Sequence, residues 1–179
     1  MARTGTRTRS AEVDSTSTSS LAVHQPPEQL VDETAIRVRY AETDAMGIVH
    51  HSHYVVWFEA GRSSYMRHVN LAYGEVERAG FYFRIAELGV RYRMPALYDE
   101  VVLVRTWLSE VHSRQLAFAY AVVRPADEVA SCPEQVLVTG FTRLICTDRS
   151  GQVRRLPADL RTHLQALVVP GGDLHRSHA

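Results

Sequence analysis

The sequence lacks several features that mark special classes of protein. Only two of its 179 residues are cysteines, Cys132 and Cys146, and they form neither a CxxC motif nor a metal-ligand spacing. Such cysteine usage is typical of a reducing compartment, so we expect a cytoplasmic protein. No apolar run approaches the roughly 20 residues of a membrane-spanning helix, so no membrane span is expected. The N-terminus, where Ser and Thr dominate, contains no apolar signal-peptide core.

The charge balance argues against a nucleic-acid partner. Twenty basic residues are matched by twenty acidic residues, and the formal net charge is zero. Nucleic-acid-binding domains usually carry a basic excess, so no nucleic-acid partner is expected. No glycine-rich loop of the kind that cradles phosphates is present. The length and the 45% content of hydrophobic residues fit a single globular domain.

Composition divides the chain into three parts. Residues 1–33 are rich in Ser and Thr and nearly free of large apolar side chains. They cannot bury enough surface to offset the entropy of ordering, which predicts a disordered extension. Residues 34–168 carry periodic apolar patterns and predict one folded domain. Residues 169–179 include a Pro-Gly-Gly sequence and predict a flexible C-terminal tail.

The apolar pattern of the domain first predicts a strand and then a long helix. Residues 36–40 alternate with period two, as in a half-buried strand. Beyond Ser52, the predicted N-cap, side chains at spacings of three and four predict a helix of about four turns. The residues in this pattern are Tyr54, Phe58, Gly61, Tyr65 and Val69. Gly74 or Gly80 is expected to close the helical stretch, and apolar residues off the stripe indicate burial by several neighbours.

The second half of the domain predicts strands and a short final helix. Residues 81–93, 101–108, 116–122 and 136–147 are β-prone, and the short turns between strands predict antiparallel pairing of consecutive strands. From Pro157 onward, three leucines share one face of a short helix. The predicted fold class is α+β, with a curved antiparallel sheet of about five strands wrapped around one long helix. Such a sheet leaves open edges, so a homo-oligomer is expected.

The segment between the first strand and the long helix carries the most informative chemistry. Asp44 precedes a turn glycine, Gly47, then histidines at positions 50, 51 and 53, and then the helix. An acid beside the positive end of a helix can bind a polar carbonyl group and assist attack on it. The alternative role for such an aspartate is an Asx turn. The histidines have no second cluster at ligand spacing, so no metal site is expected.

This segment resembles the hotdog-fold 4-hydroxybenzoyl-CoA thioesterase family, close to acyl-CoA thioesterases of the Tol-Pal-associated type. The residues that carry the match are Tyr40, Thr43, Asp44, Gly47, Val49, His51, Tyr54 and Glu59, followed by Gly80, Tyr92, Pro95, Tyr98, Asp99, Phe118 and Tyr120. The resemblance spans residues 36–167. It implies hydrolysis of an acyl-CoA thioester without a metal or other cofactor, in a homodimer or homotetramer with sites at the subunit interface.

The resemblance also implies roles for individual residues. Asp44 occupies the position of the catalytic carboxylate, as a general base or a nucleophile. The backbone N–H near His51 occupies the position that polarises the thioester carbonyl, and the His51 side chain is a second catalytic candidate. The substrate-binding candidates are Gly47, Tyr54, Glu59, Arg91, Arg93 and Arg114.

These substrate-binding candidates have simpler alternatives. Glu59 is also the reserve base or nucleophile, and its alternative is an ion pair, with Arg62 a candidate partner. The arginines, with Arg143 as a further candidate, would meet the phosphates of CoA. Each of them equally fits a solvent-facing position. Tyr54 would line the acyl pocket or simply pack in the core.

Two other functions fit the same pattern. One is a thioesterase that acts on acyl-carrier-protein substrates, and turnover of one acyl group on either carrier separates it from an acyl-CoA thioesterase. The other is a module that binds acyl-CoA without cleaving it, against which Asp44 and His51 argue. Short-chain, medium-chain and aromatic acyl groups all remain open, because the depth of the pocket depends on side chains from two subunits.

Overall fold

The computed structural model describes residues 30–127, 129 and 131–169, which form one five-stranded antiparallel sheet with three α-helices. The strands are β1 (Asp32–Arg37), β2 (Tyr82–Tyr92), β3 (Val101–Val111), β4 (Gln115–Arg124) and β5 (Gln135–Thr147). The helices are α1 (His53–His68), α2 (Tyr73–Arg78) and α3 (Ala158–Ala166), and a 3-10 turn covers Tyr40–Glu42. The predicted α+β class is therefore confirmed.

Helix α1 is buried by several neighbours, as its sequence predicts. It packs against β1, β3 and β4. Tyr54, Trp57, Phe58 and Tyr65 are each at most 2% exposed, and full burial of such side chains contributes about 1.5–3 kcal/mol each. The Phe58 ring stacks on Tyr120 of β4, with centroids 4.4 Å apart. This packing fixes where the N-terminus of α1 lies against the sheet.

The predicted pairing of consecutive strands is wrong for β2 and β3. The sheet order is β1-β3-β4-β5-β2, so β2 pairs with β5, and β3 lies between β1 and β4. Residues 93–100 connect β2 to β3. Eight extended residues can span about 26 Å, whereas three strand spacings require about 14 Å. A short loop is therefore long enough to cross the ends of the intervening strands.

The element boundaries differ from the predicted ones in a few places. Strand β1 begins at Asp32, so the folded part starts before residue 34. Helix α1 ends at His68, Gly74 lies inside the separate helix α2, and Gly80 follows the end of α2. The predicted disorder of residues 1–29 and the predicted flexibility of residues 170–179 lie outside the described residues. Val169, assigned to the tail, donates its N–H to the carbonyl of Leu108 at 3.1 Å.

Strand β2 forms one edge of the sheet, and no described strand pairs with its outer side. Ile85 and Leu88 of this strand are 49% and 40% exposed. Val56 on α1 is also exposed. Open edges with apolar side chains are usually covered, and self-association stays a prediction. None of the described helices is both long and apolar enough to cross a membrane.

Candidate active site

A cleft of about 260 Å³ lies at the N-terminus of α1, and the chain reaches it three times. The turn after the 3-10 segment, the start of α1 and the end of β2 with the loop that follows it all contribute. The ten lining residues are Asp44, Met46, Ile48, Val49, His51, Tyr54, Tyr92, Arg93, Met94 and Pro95. Four predicted site residues therefore meet in one cleft: Asp44, His51, Tyr54 and Arg93.

The turn at Asp44 is closed by hydrogen bonds to both the side chain and the backbone of this residue. Asp44 Oδ1 accepts a hydrogen bond from the Met46 N–H at 2.8 Å. Its carbonyl accepts one from the N–H of Gly47 at 2.9 Å, and its own N–H donates to the Ile48 carbonyl at 2.9 Å. The Asx turn considered from the sequence is therefore present. No described residue donates to Oδ2 of the half-buried Asp44, which leaves this oxygen available for chemistry.

Gly47 shapes this turn and does not line the cleft. Its φ angle is +76°, a left-handed conformation that costs other residues roughly 1 kcal/mol or more. Glycine therefore favours the geometry of this turn. Its predicted role in substrate binding stays a prediction.

The peptide groups before α1 include an N–H, that of His51, without an acceptor among the described residues. His53 donates its N–H to the His50 carbonyl at 3.0 Å, and Ser52 donates its own to His50 Nδ1 at 3.4 Å. No described residue accepts the N–H of His51. The Tyr92 hydroxyl donates to the His51 carbonyl at 2.9 Å, which fixes the orientation of the peptide that follows His51. Unpaired N–H groups at a helix start, with the helix dipole behind them, stabilise negative charge.

Two tyrosines form the wall of the cleft between the helix and β2. Tyr54 is 2% exposed, and its hydroxyl accepts a hydrogen bond from the Ala96 N–H at 2.9 Å. Its ring packs edge-on against Tyr92, with centroids 5.6 Å apart. Burial raises the pKa of Tyr54, and burial also raises the pKa of Tyr92. Both phenols are therefore neutral at physiological pH and act through hydrogen bonds rather than as bases.

The remaining predicted substrate-binding residues lie outside the cleft of a single chain. Glu59 is exposed on α1, and its proposed ion pair with Arg62 is not formed among the described residues. Arg91 is exposed on β2, opposite Thr139. Arg114 lies in the β3–β4 turn, at the far end of β4 from Arg124, whose guanidinium reaches the Pro95 carbonyl. A ten-residue strand spans about 33 Å, so Arg114 lies far from the cleft.

Glu42 is a part of the site region that the sequence did not single out. It is 2% exposed, and its carboxylate accepts hydrogen bonds from the Arg39 backbone, the Arg39 guanidinium and Trp57. Burial alone would raise the pKa of Glu42, but these hydrogen bonds and the Arg39 charge outweigh it and lower the pKa. At the three-residue spacing from Arg39 to Glu42, an acidic side chain at the start of a helical turn can reach back to the N–H that precedes the turn, and this spacing was the signal available in the sequence. The contact with Trp57 could not be predicted from a local sequence pattern, because Trp57 lies fifteen residues further along the chain.

The histidine rings at the start of α1 lie close together, one pair tilted and the other edge-on. The His50 and His51 ring centroids are 4.1 Å apart, and those of His50 and His53 are 6.4 Å apart. No group of three or more His, Cys, Asp or Glu side chains in the described part of the chain is arranged to hold a metal ion. The absence of a metal cofactor stays a prediction.

Sequence comparison relates this chain to known thioesterases. The thioesterase-like superfamily matches residues 38–166. The chain is 34% identical over 119 residues to YneP of Bacillus subtilis (strain 168), named provisionally as an acyl-CoA thioesterase, covering 66% of this chain and 81% of the relative. It is 32% identical over 90 residues to the acyl-CoA thioesterase YbgC of Haemophilus influenzae, covering 50% of this chain and 66% of that protein.

Solved structures share the fold. A hypothetical protein from Thermus thermophilus, TT1821, is 41% identical with a TM-score of 0.69, covering 78% of this chain and 99% of that one. A DHNA-CoA thioesterase from Staphylococcus aureus is 28% identical with a TM-score of 0.66, covering 76% and 87%. The predicted hotdog fold is thereby confirmed. The family match covers well over half of the residues, and the chain therefore belongs to the thioesterase-like superfamily.

Proposed function

We propose that this protein is an acyl-CoA thioesterase in which Asp44 activates or performs the attack on the thioester and the His51 N–H binds the carbonyl oxygen. One observation carries the proposal. Oδ2 of Asp44 and the N–H of His51, neither of which has a partner among the described residues, belong to residues that line the same 260 Å³ cleft. The relatives of this chain are named as acyl-CoA thioesterases.

The electrostatics of the cleft suit acyl transfer. As a nucleophile attacks the thioester carbonyl, negative charge develops on its oxygen. The His51 N–H and the positive end of the α1 dipole stabilise this charge, and the loss of one such donor typically costs about 3 kcal/mol of transition-state stabilisation. The His50 carbonyl, which belongs to the same peptide group as the His51 N–H, accepts the His53 N–H at 3.0 Å and holds this peptide in place before the reaction begins. The donor is therefore oriented in advance.

Asp44 can promote the attack by two routes. As a general base, it removes a proton from water while the water oxygen bonds to the carbonyl carbon. The C–S bond then breaks, and the proton passes to the thiolate sulfur of CoA. As a nucleophile, Asp44 bonds to the carbonyl carbon itself, expels the thiolate, and forms a mixed anhydride that water hydrolyses. Both routes yield free acid and CoA and restore the carboxylate.

The walls of the cleft suit a substrate with an apolar arm and an anionic end. Met46, Ile48, Met94 and Pro95 provide apolar surface beside Asp44, where an acyl or pantetheine chain would lose its contact with water. Arg93 also lines the cleft and is exposed. A guanidinium in this position would pair with a phosphate of CoA.

A second copy of the chain completes the proposal. The open outer edge of β2, with the exposed Ile85 and Leu88, supports a homodimer or homotetramer. Because β2 ends at the cleft, a copy paired along this edge would lie close to bound substrate. A cytoplasmic location is also part of the proposal, supported by the low cysteine content.

The experiment is thiol release from a panel of short-chain, medium-chain and aromatic acyl-CoA thioesters by the purified full chain. We expect at least one class to yield CoA and free acid in equal amounts. The exposed Cys132 is accessible to the thiol reagent, so an enzyme-only blank is subtracted. Binding of acyl-CoA without any thiol release would overturn the proposal and favour the non-catalytic binding module.

A further inference from the structure

Glu42 holds a buried carboxylate beside the candidate site without lining the cleft. We infer that Glu42 is a positioning residue that sets the separation between the Asp44 carboxylate and the His51 N–H. This inference rests on the proposed function for the meaning of those two groups. The contacts of Glu42 are independent of the proposed function. They connect three parts of the site region: the turn at Asp44, the chain before His51, and helix α1.

The first connection is to the turn that leads into Asp44. Glu42 Oε2 accepts a hydrogen bond from the Arg39 N–H at 2.8 Å, and Oε1 accepts one from the Arg39 guanidinium at 2.9 Å. These bonds close the 3-10 turn of Tyr40–Glu42. Thr43 then returns to an extended conformation, with φ −93° and ψ 154°. The direction in which the chain enters Asp44 is therefore set by the turn that the Glu42 side chain closes.

The second connection runs through the Glu42 backbone. Its carbonyl accepts a hydrogen bond from the His50 N–H at 2.9 Å, and Thr43 bridges Val49 in an antiparallel pair. The chain from 42 to 50 is thus a small two-stranded arm. Asp44 lies in the turn at its tip, and His51 follows directly after its return. A shift of Glu42 would change the relation between these two residues.

The third connection fixes the arm to α1. Trp57 Nε1 donates a hydrogen bond to Glu42 Oε1 at 3.1 Å, and Trp57 is 2% exposed. Its ring also packs against Tyr54 in the wall of the cleft, with centroids 4.9 Å apart. The same carboxylate therefore holds the arm that carries Asp44 and the first turns of the helix whose N-terminus follows His51.

The charge of Glu42 makes this connection rigid. Hydrogen bonds to an ionised acceptor are roughly twice as strong as neutral ones, and a buried carboxylate without partners is strongly unfavourable. Burial would raise the pKa of Glu42, but the bonds from Arg39 and Trp57 lower it overall, so the group is ionised at neutral pH. If one donor is lost, the buried Glu42 carboxylate is no longer fully hydrogen-bonded, which is unfavourable. The arm is then expected to shift so that the carboxylate regains a partner or contact with water.

The test compares Glu42→Gln and Trp57→Phe with the wild type and with Glu75→Gln, an acid-to-amide control at an exposed position on α2. Glu42→Gln replaces one carboxylate oxygen with an NH2 group, which cannot accept a hydrogen bond from the donor that faces it. Trp57→Phe removes a single hydrogen bond and keeps an aromatic ring. Misplacement of reacting groups by about 1 Å can cost on the order of 100-fold in rate. We expect kcat to fall about 10- to 100-fold in Glu42→Gln, with KM little changed, and to fall less in Trp57→Phe.

Two readouts separate positioning from a loss of folded protein. In an Asp44→Asn background, Glu42→Gln should cause little further loss of rate, because the residue acts through Asp44. Amide hydrogen exchange at His50 should be faster in Glu42→Gln and unchanged in Glu75→Gln. Equal losses of rate in both backgrounds, or unchanged kcat in Glu42→Gln, would overturn the inference.

The two proposals fail in different ways. A wild-type protein that cleaves no thioester rejects the proposed function, and the exchange measurement alone then decides whether Glu42 holds the arm. In that case, unchanged exchange at His50 in Glu42→Gln rejects the inference as well. A wild-type protein that cleaves acyl-CoA but tolerates Glu42→Gln without loss rejects the inference and leaves the proposed function standing.

Discussion

At the scale of single residues, the two oxygens of the Asp44 carboxylate have different surroundings. Oδ1 accepts the Met46 N–H and so belongs to the turn, whereas no described residue donates to Oδ2. The turn therefore orients the side chain before substrate arrives. An asparagine at this position keeps an oxygen for the Met46 N–H but loses the charge. Asp44→Asn therefore separates the role of this side chain in the turn from the role of its charge in the reaction.

Arg93 allows a second test at this scale. We expect Arg93→Ala to raise KM for an acyl-CoA several-fold, because a guanidinium at the cleft can pair with a CoA phosphate. KM for the matching acyl-pantetheine, which has no phosphates, should not change. Arg91→Ala is the matched control, since Arg91 is exposed on β2 outside the cleft. Equal effects of Arg93→Ala on both substrates would reject the phosphate contact.

At the scale of elements, the close approach of α1 to β3 depends on Gly61. A Cβ at this position would lie inside van der Waals contact with Thr106 Oγ1 and 3.0 Å from Val104 Cγ1. Overpacking of this kind typically costs about 1–3 kcal/mol. The higher helix propensity of alanine offsets about 1 kcal/mol of this destabilisation. We expect Gly61→Ala to lower the free energy of unfolding, measured by urea denaturation.

Gly74 provides the matched control for that substitution. It lies in α2, and a Cβ there would meet no atom within 4 Å. Gly74→Ala should therefore leave stability unchanged or raise it by about 0.5–1 kcal/mol, the usual gain from replacing glycine in a helix. If Gly61→Ala is as stable as Gly74→Ala, β3 can move away from α1 without cost, and the fold does not require the close approach at Gly61.

Local periodicity predicted most elements well, because each pattern records which face of its own segment is buried. The stripe from Tyr54 to Tyr65 belongs to α1, and residues 136–147 were predicted for a strand that spans Gln135–Thr147. The division between α1 and α2 was not predicted. Asn70 has a φ angle of +56° between them, and glycine is the usual signal for such a conformation.

At the scale of the whole molecule, three of the four predicted residues that line the cleft come from one contiguous segment, and Arg93 comes from the loop after β2. Asp44, His51 and Tyr54 lie within eleven residues of one another, and the cleft brings them together. Tyr92 joins them through the end of β2, whose position depends on its pairing with β5. Such pairings depend on contacts distant in sequence, which is why the order of strands and the place of Arg114 did not follow from local patterns.

The open edge of β2 leads to a prediction about assembly. We expect Leu88→Arg to weaken self-association, because a charge on this apolar edge would have to be desolvated in the interface. Val153→Arg is the control, since Val153 is 53% exposed and lies in the loop after β5, outside the β2 edge. Sedimentation should show a smaller species for Leu88→Arg alone. An unchanged oligomer would place the interface elsewhere.

The central claim is that Asp44 drives hydrolysis of the thioester, and kcat for Asp44→Asn on the best acyl-CoA substrate tests it most directly. Asp159→Asn, the same change at an exposed site on α3, is the control. We predict that Asp44→Asn lowers kcat by at least about 100-fold, with thermal stability preserved, and that Asp159→Asn matches the wild type. Turnover of Asp44→Asn near the wild-type rate would contradict the account.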